Sequence, residues 1–152
     1  LAPEVRQAAI DTLRAIGEYG KSKKVFVTME NRGGGRRPAR PGETAPPANR
    51  PPSPSWDVVL EVIKAAGIYA NPDIGNFPDD EARAAGLRAM YPLSSGSSHA
   101  HYAPERYSEA NAIQISKEVG YKGLYSIEAG RNNGPDPYAA VQSIVDELLK
   151  DL

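Results

Sequence analysis

Apolar positions along the chain change their period several times, and each change marks an element. After Pro3, which suits a first helical turn, Val5, Ala8, Ala9, Leu13 and Ile16 recur on one helical face. Gly17 and Gly20 are expected to close that helix. Residues 25–30, VFVTME, then run apolar and β-branched without polar alternation, as a parallel strand covered on both faces would. A helical stripe returns with Val58, Val59, Val62, Ile63 and Ala66, preceded by Ser55 as N-cap and stopped by Gly67. A short strand over 68–73 and a turn over 74–78 follow, and Asp79 and Asp80 open an Ala-rich helix reaching Met90. The same alternation predicts a strand over 91–101, a helix from Pro104 or Glu105 to Val119, and a strand over 124–128. A last helix spans 138–149, with Val141, Ile144, Val145, Leu148 and Leu149 as its buried face.

One helix followed by four strand–helix units implies parallel strands with right-handed crossovers. Either an open doubly wound sheet or a segment of a (β/α)8 barrel satisfies that count. Polar residues gather at the C-terminal ends of all four strands, where barrel enzymes build their sites, so the barrel is the expected fold. A complete barrel needs about 250 residues. The 152 residues of this chain are therefore expected to form half of one.

Residues 31–54 interrupt the pattern with NRGGGRRPARPGETAPPANRPPSP, whose glycine, proline and arginine content builds no core element. One reading is a solvated loop. The sharper one is a lid in which Arg32, Arg36 or Arg37 reaches an anionic group of a substrate.

Composition removes several classes of function. With 18 Lys+Arg against 19 Asp+Glu, nothing pulls the chain toward nucleic acid or an anionic membrane. The absence of cysteine excludes disulfides, thiolate zinc sites and cysteine nucleophiles. No apolar run approaches the ~20 residues of a membrane span. The expected setting is cytoplasmic. A start at Leu1, in mid-pattern and without Met, suggests a fragment or a processed product.

The candidate chemistry lies at the strand ends: Glu30, Asp73, the pair His99 and His101, and Glu128. Two-residue alternation puts His99 and His101 on one face of their strand. Three carboxylates and an imidazole converging on one mouth form an oxygen-rich set suited to Mn, Mg, Co or Zn with open coordination positions. Such an ion polarises a carbonyl or hydroxyl, while a carboxylate nearby moves a proton between adjacent carbons.

The segments TMEN, PDIGNF, SSHAH and GYKGLYSIEAGRNNGPDPYAAV resemble the C-terminal half of the xylose-isomerase-like TIM-barrel superfamily. That group holds sugar phosphate isomerases and epimerases, ketose 3-epimerases, inosose dehydratase and endonuclease IV. The resemblance covers residues 1–152 apart from the 31–54 loop. It implies Glu30, Asp73, His99 and Glu128 as metal ligands, with Glu30 and Glu128 as the acid/base pair. His99 is preferred to His101 as the ligand because many members read His-Ala-Lys there, which leaves His101 as a substrate contact. Asn76 stands where ketose epimerases carry a histidine and would meet a sugar hydroxyl, and Arg131 would meet a substrate anion. The expected reaction is metal-dependent isomerisation or epimerisation of a sugar or sugar phosphate, with a dehydratase or lyase as the alternative. A DNA endonuclease fits poorly, because its zinc cluster needs more than the two histidines present. A third expectation is a half-barrel inactive until a missing N-terminal half, or a second copy, closes it.

Overall fold

The computed structural model describes residues 2–32, 55–101, 107–128 and 136–152. Helix α1 (Pro3–Ser22) leads into β1 (Thr28–Glu30); α2 (Trp56–Ala66) into β2 (Tyr69–Asn71); α3 (Asp80–Met90) into β3 (Ser97–Ala100). Helix α4 (Glu109–Glu118), β4 (Leu124–Ile127) and α5 (Pro137–Asp151) complete the chain. The architecture is mixed α/β with short parallel strands.

β1 pairs with β2 from Thr28 opposite Tyr69 to Glu30 opposite Asn71. β3 pairs with β4 from Ser97 opposite Leu124 to Ala100 opposite Ile127. Between the pairs, parallel bridges join Ala70 to Ser94 and Asp73 to His99. The spatial order is thus β1, β2, β3, β4, the order of the sequence, and no closed barrel forms among the described residues. Each helix packs on the next, α1 on α2 through to α5, as expected when every crossover turns the same way and covers the same sheet face. Ile63, Ile74, Leu87, Met90, Ile113 and Ile144 fill the space beneath those helices, each fully buried, and Ala70 and Ala100 face them from the strands. The opposite sheet face presents Thr28 and Glu30 of β1, Asn71 of β2, Ser97 and His99 of β3, and Leu124 and Ser126 of β4, which register places side by side. Ser97 Oγ donates to Asn71 Oδ1 across it at 2.9 Å.

Several elements depart from the sequence reading. α1 continues through both glycines, because each lies where a neighbour leaves no room for a side chain. A Cβ on Gly17 would stand 2.8 Å from Ile68 Cγ2, and one on Gly20 would stand 2.9 Å from the Val25 carbonyl oxygen and from Val27 Cγ2. The glycines bring the helix against the sheet instead of ending it; α1 stops where Lys24 turns to φ 58°. The face of α1 turned inward is Ile10, Gly17 and Gly20, so Val5 and Ile16 are exposed. β1 starts three residues late, because Val25 N–H still donates back to Gly20 O; Val25 and Phe26 are exposed, not covered on both faces.

The expected strand over 91–101 is two elements. Pro92, whose ring fixes φ, sits in a 3₁₀ turn over Tyr91–Leu93, and Gly96 at φ 100° re-aims the chain before β3 begins. α4 starts later than expected: Tyr107 and Ser108 are not helical, and the Ser108 side chain caps the helix by accepting from Asn111 N–H at 3.4 Å. α5 is capped by Asp136, whose carboxylate accepts from the N–H groups of Tyr138 and Ala139. Its buried residues are Ala140, Ile144 and Leu148, with Val141 and Leu149 exposed. No helix among the described residues is long and apolar enough to cross a membrane.

Candidate metal centre

Glu30 ends β1, His99 sits inside β3, and Asp73 and Glu128 each follow the last residue of a strand by one or two positions. One ligand atom from each of these four lies within 4.8 Å of those of the others, a cluster able to hold a metal ion. The main chain enforces the arrangement. His99 N–H donates to Pro72 O at 2.8 Å and Ile74 N–H to His99 O at 3.1 Å, which fixes Asp73 beside His99. Glu128 N–H donates to Ala100 O at 2.9 Å and extends the β3–β4 ladder as far as the carboxylate.

Asp73 is fully buried, and its charge is met by three donors. Gly75 N–H reaches Oδ1 at 2.7 Å, while Asn76 Nδ2 and His101 Nε2 reach Oδ2 at 2.8 and 2.7 Å. The His101 bond requires its proton on Nε2, and that hydrogen bond, followed by the Asp73 charge, outweighs burial and raises the imidazole above its ordinary value. His101 Nε2 also lies 3.4 Å from Glu128 Oε2. Gly75 has no room for a side chain, since a Cβ there would stand 2.9 Å from the His101 ring.

Burial raises the Glu30 carboxyl, and the Asp73 charge raises it further. His99 and Arg32 offset this in part. Asn76 Nδ2 donates to Glu30 Oε1 at 2.9 Å as well as to Asp73, so one amide group ties two carboxylates together. His99 Nδ1 lies 3.0 Å from Glu30 Oε2 and 3.6 Å from Glu128 Oε2. It is buried and makes no hydrogen bond to either. A buried nitrogen without a hydrogen bond, set between two carboxylates and beside a third, suits a divalent cation with mixed oxygen and imidazole ligands. The four residues fit such an ion.

Of the residues singled out from the sequence, the structure thus brings together Glu30, Asp73, His99, Glu128, His101 and Asn76. The two histidines are not equivalent: the Nε2 of His101 is engaged by Asp73, whereas His99 Nδ1 faces Glu30 and Glu128. Arg32 lies just beyond β1 and is exposed. Arg36, Arg37 and Arg131 fall outside the described residues.

Sequence reasoning passed over two neighbours of the cluster. Asn31 is completely buried and bonded to the backbone of Asp73 and Asn76. Its signal was a polar amide directly after an apolar strand, at a position that burial should have made costly. Tyr107 is buried too: its hydroxyl donates to His101 O at 2.6 Å, and the Arg83 guanidinium lies 4.6 Å from its ring centroid. Arg83 is itself buried, donates from Nε to Ile74 O at 2.9 Å and pairs with Asp80, so α3 supports both the turn after β2 and the segment after β3. No local pattern marks Tyr107, because its partners lie in other elements.

The chain matches no protein-family model and no curated protein sequence.

Proposed function

We propose that this chain is the metal-binding half of a xylose-isomerase-like TIM barrel, acting as an isomerase or epimerase on a sugar or sugar phosphate. The observation that carries the reading is the convergence of Glu30, Asp73, His99 and Glu128 at the C-terminal ends of four parallel strands in sequential order. A doubly wound sheet reverses strand order at its ligand crevice, and no reversal occurs among the described residues. The segments TMEN, PDIGNF, SSHAH and GYKGLYSIE support the same family.

Glu30, Asp73, His99 and Glu128 would hold a divalent ion such as Mn, Mg, Co or Zn, which supplies positive charge to a carbonyl or hydroxyl oxygen of the substrate. Glu30 takes the proton from the carbon next to the carbonyl. Glu128, at the open side of the cluster, returns a proton to the neighbouring carbon for isomerisation or to the opposite face for epimerisation. Loss of a hydroxyl from the same carbanion gives the dehydratase alternative. His101 and Asn76 orient the substrate hydroxyls, and Arg131 receives a phosphate.

A second reading concerns assembly. β1 and β4 each have one unpaired edge among the described residues, and Phe26 and Leu124 are exposed. An N-terminal half-barrel or a second copy of the chain would pair those edges and complete the pocket.

Proton transfer is read directly by deuterium uptake in D2O. With Mn²⁺ and a panel of ketoses and ketose phosphates, exchange at the carbon next to the carbonyl is the expected result, lost in Glu30→Gln and Glu128→Gln. Near-normal exchange in either variant overturns the acid/base assignment. Binding of Mn²⁺ without exchange on any member of the panel, once an N-terminal half or a second copy closes the barrel, overturns the isomerase reading and leaves the metal centre standing.

A further inference from the structure

We propose that Asn31 is a positioning residue that sets the spacing between the Glu30 and Asp73 sides of the cluster; the inference rests on reading the cluster as a metal site. The β1–β2 ladder ends at Glu30 opposite Asn71. Along that chain Tyr69 N–H bonds Val27 O before β1, whereas Pro72 O and Ile74 N–H bond His99 of β3, so the next group due to face β1 is Asp73 N–H, and its partner there is a side chain. Beyond that point the backbone offers little to tie the turn carrying Asp73 and Asn76 to β1.

The Asn31 side chain takes over that task. Its Oδ1 accepts from Asp73 N–H at 2.8 Å, and its Nδ2 donates to Asp73 O at 3.1 Å and to Asn76 O at 3.2 Å. An amide is the one short side chain that presents an acceptor and two donors in a single plane, so it substitutes for the missing peptide group. Asn31 shares a peptide bond with Glu30 and is fully buried, so it cannot shift without moving that carboxylate. Aspartate would keep the bond to Asp73 N–H but turn a negative oxygen toward two carbonyls. Alanine would leave the N–H and both carbonyls without these partners.

A merely structural asparagine and a positioning one differ in what else they change. In Asn31→Ala and Asn31→Asp, Mn²⁺ affinity measured by EPR well below the melting transition should fall by about tenfold or more, as loss of an outer partner of metal ligands does. Far-UV circular dichroism should remain that of the wild type. Ser116→Ala serves as the control for ordinary destabilisation. It removes a buried hydroxyl that bonds Ile113 O and receives Tyr125 OH, away from the ligands, and should keep Mn²⁺ affinity within about twofold.

Folded Asn31 variants that bind Mn²⁺ as tightly as the wild type would overturn the positioning role while leaving the metal centre intact. Equal losses of affinity in Ser116→Ala would also overturn it. Failure of both Asn31 variants to fold would make Asn31 a residue of global stability only. A wild-type chain that binds no Mn²⁺ removes the metal reading itself, and this inference with it.

Discussion

Asn76 places one NH₂ group between Glu30 and Asp73, and that choice shows what the cluster costs without a cation. Two carboxylates are brought so close that burial and mutual repulsion raise the proton affinity of Glu30. Sites of this kind give up stability for function. Glu30→Gln keeps an oxygen for the Asn76 donor and removes the charge. With EDTA present its unfolding free energy should equal or exceed that of the wild type, by no more than about 1 kcal/mol because Glu30 is partly solvated, while Mn²⁺ no longer raises its melting temperature. Calorimetry with and without the ion reads both effects. Asp73→Asn should behave in the opposite way. Its carboxamide would turn an NH₂ toward the donors Asn76 Nδ2 and His101 Nε2, at a cost of about 1–3 kcal/mol in the metal-free protein.

Among the elements, α1 is the one whose reading changed most. Gly17 and Gly20 are the usual signs of a helix end, and only the positions of Ile68, Val25 and Val27 reveal them as points of close approach. Gly17→Leu should therefore destabilise the fold by several degrees in melting temperature by forcing α1 away from Ile68, whereas Gly67→Ala, at φ 69° with open space around it, should cost only about 1 kcal/mol of backbone strain. The elements legible in sequence were those with strong periodicity and clear ends, such as α2, stopped by Gly67 although Ser55 bonds Asp57 and caps no N–H, and α3 behind Asp79. The strand ends were legible too, since a carboxylate closing an apolar run is conspicuous. What escaped was set by distant partners. β1 is shortened by a backbone bond from Val25 to Gly20, β3 by the turn at Pro92, and Asn31 and Tyr107 have partners from other elements.

At the largest scale, the sequential parallel order leaves β1 and β4 as edges among the described residues, and Leu124 is 78% exposed. Sedimentation with and without Mn²⁺ should therefore give a mass above that of one 16.3 kDa chain at micromolar concentration. A monomer under both conditions would count against closure by a second copy. The cluster is also graded in depth. The Asp73 side chain is sealed, Glu30 and His99 are about one-quarter exposed, and Glu128 is 56% exposed. An arriving cation meets the ligands in that reverse order, so capture begins as a loose encounter with a hydrated carboxylate and proceeds inward by shedding water. Glu128 is thus the doorstep of the site, and its removal should slow arrival as well as hasten escape.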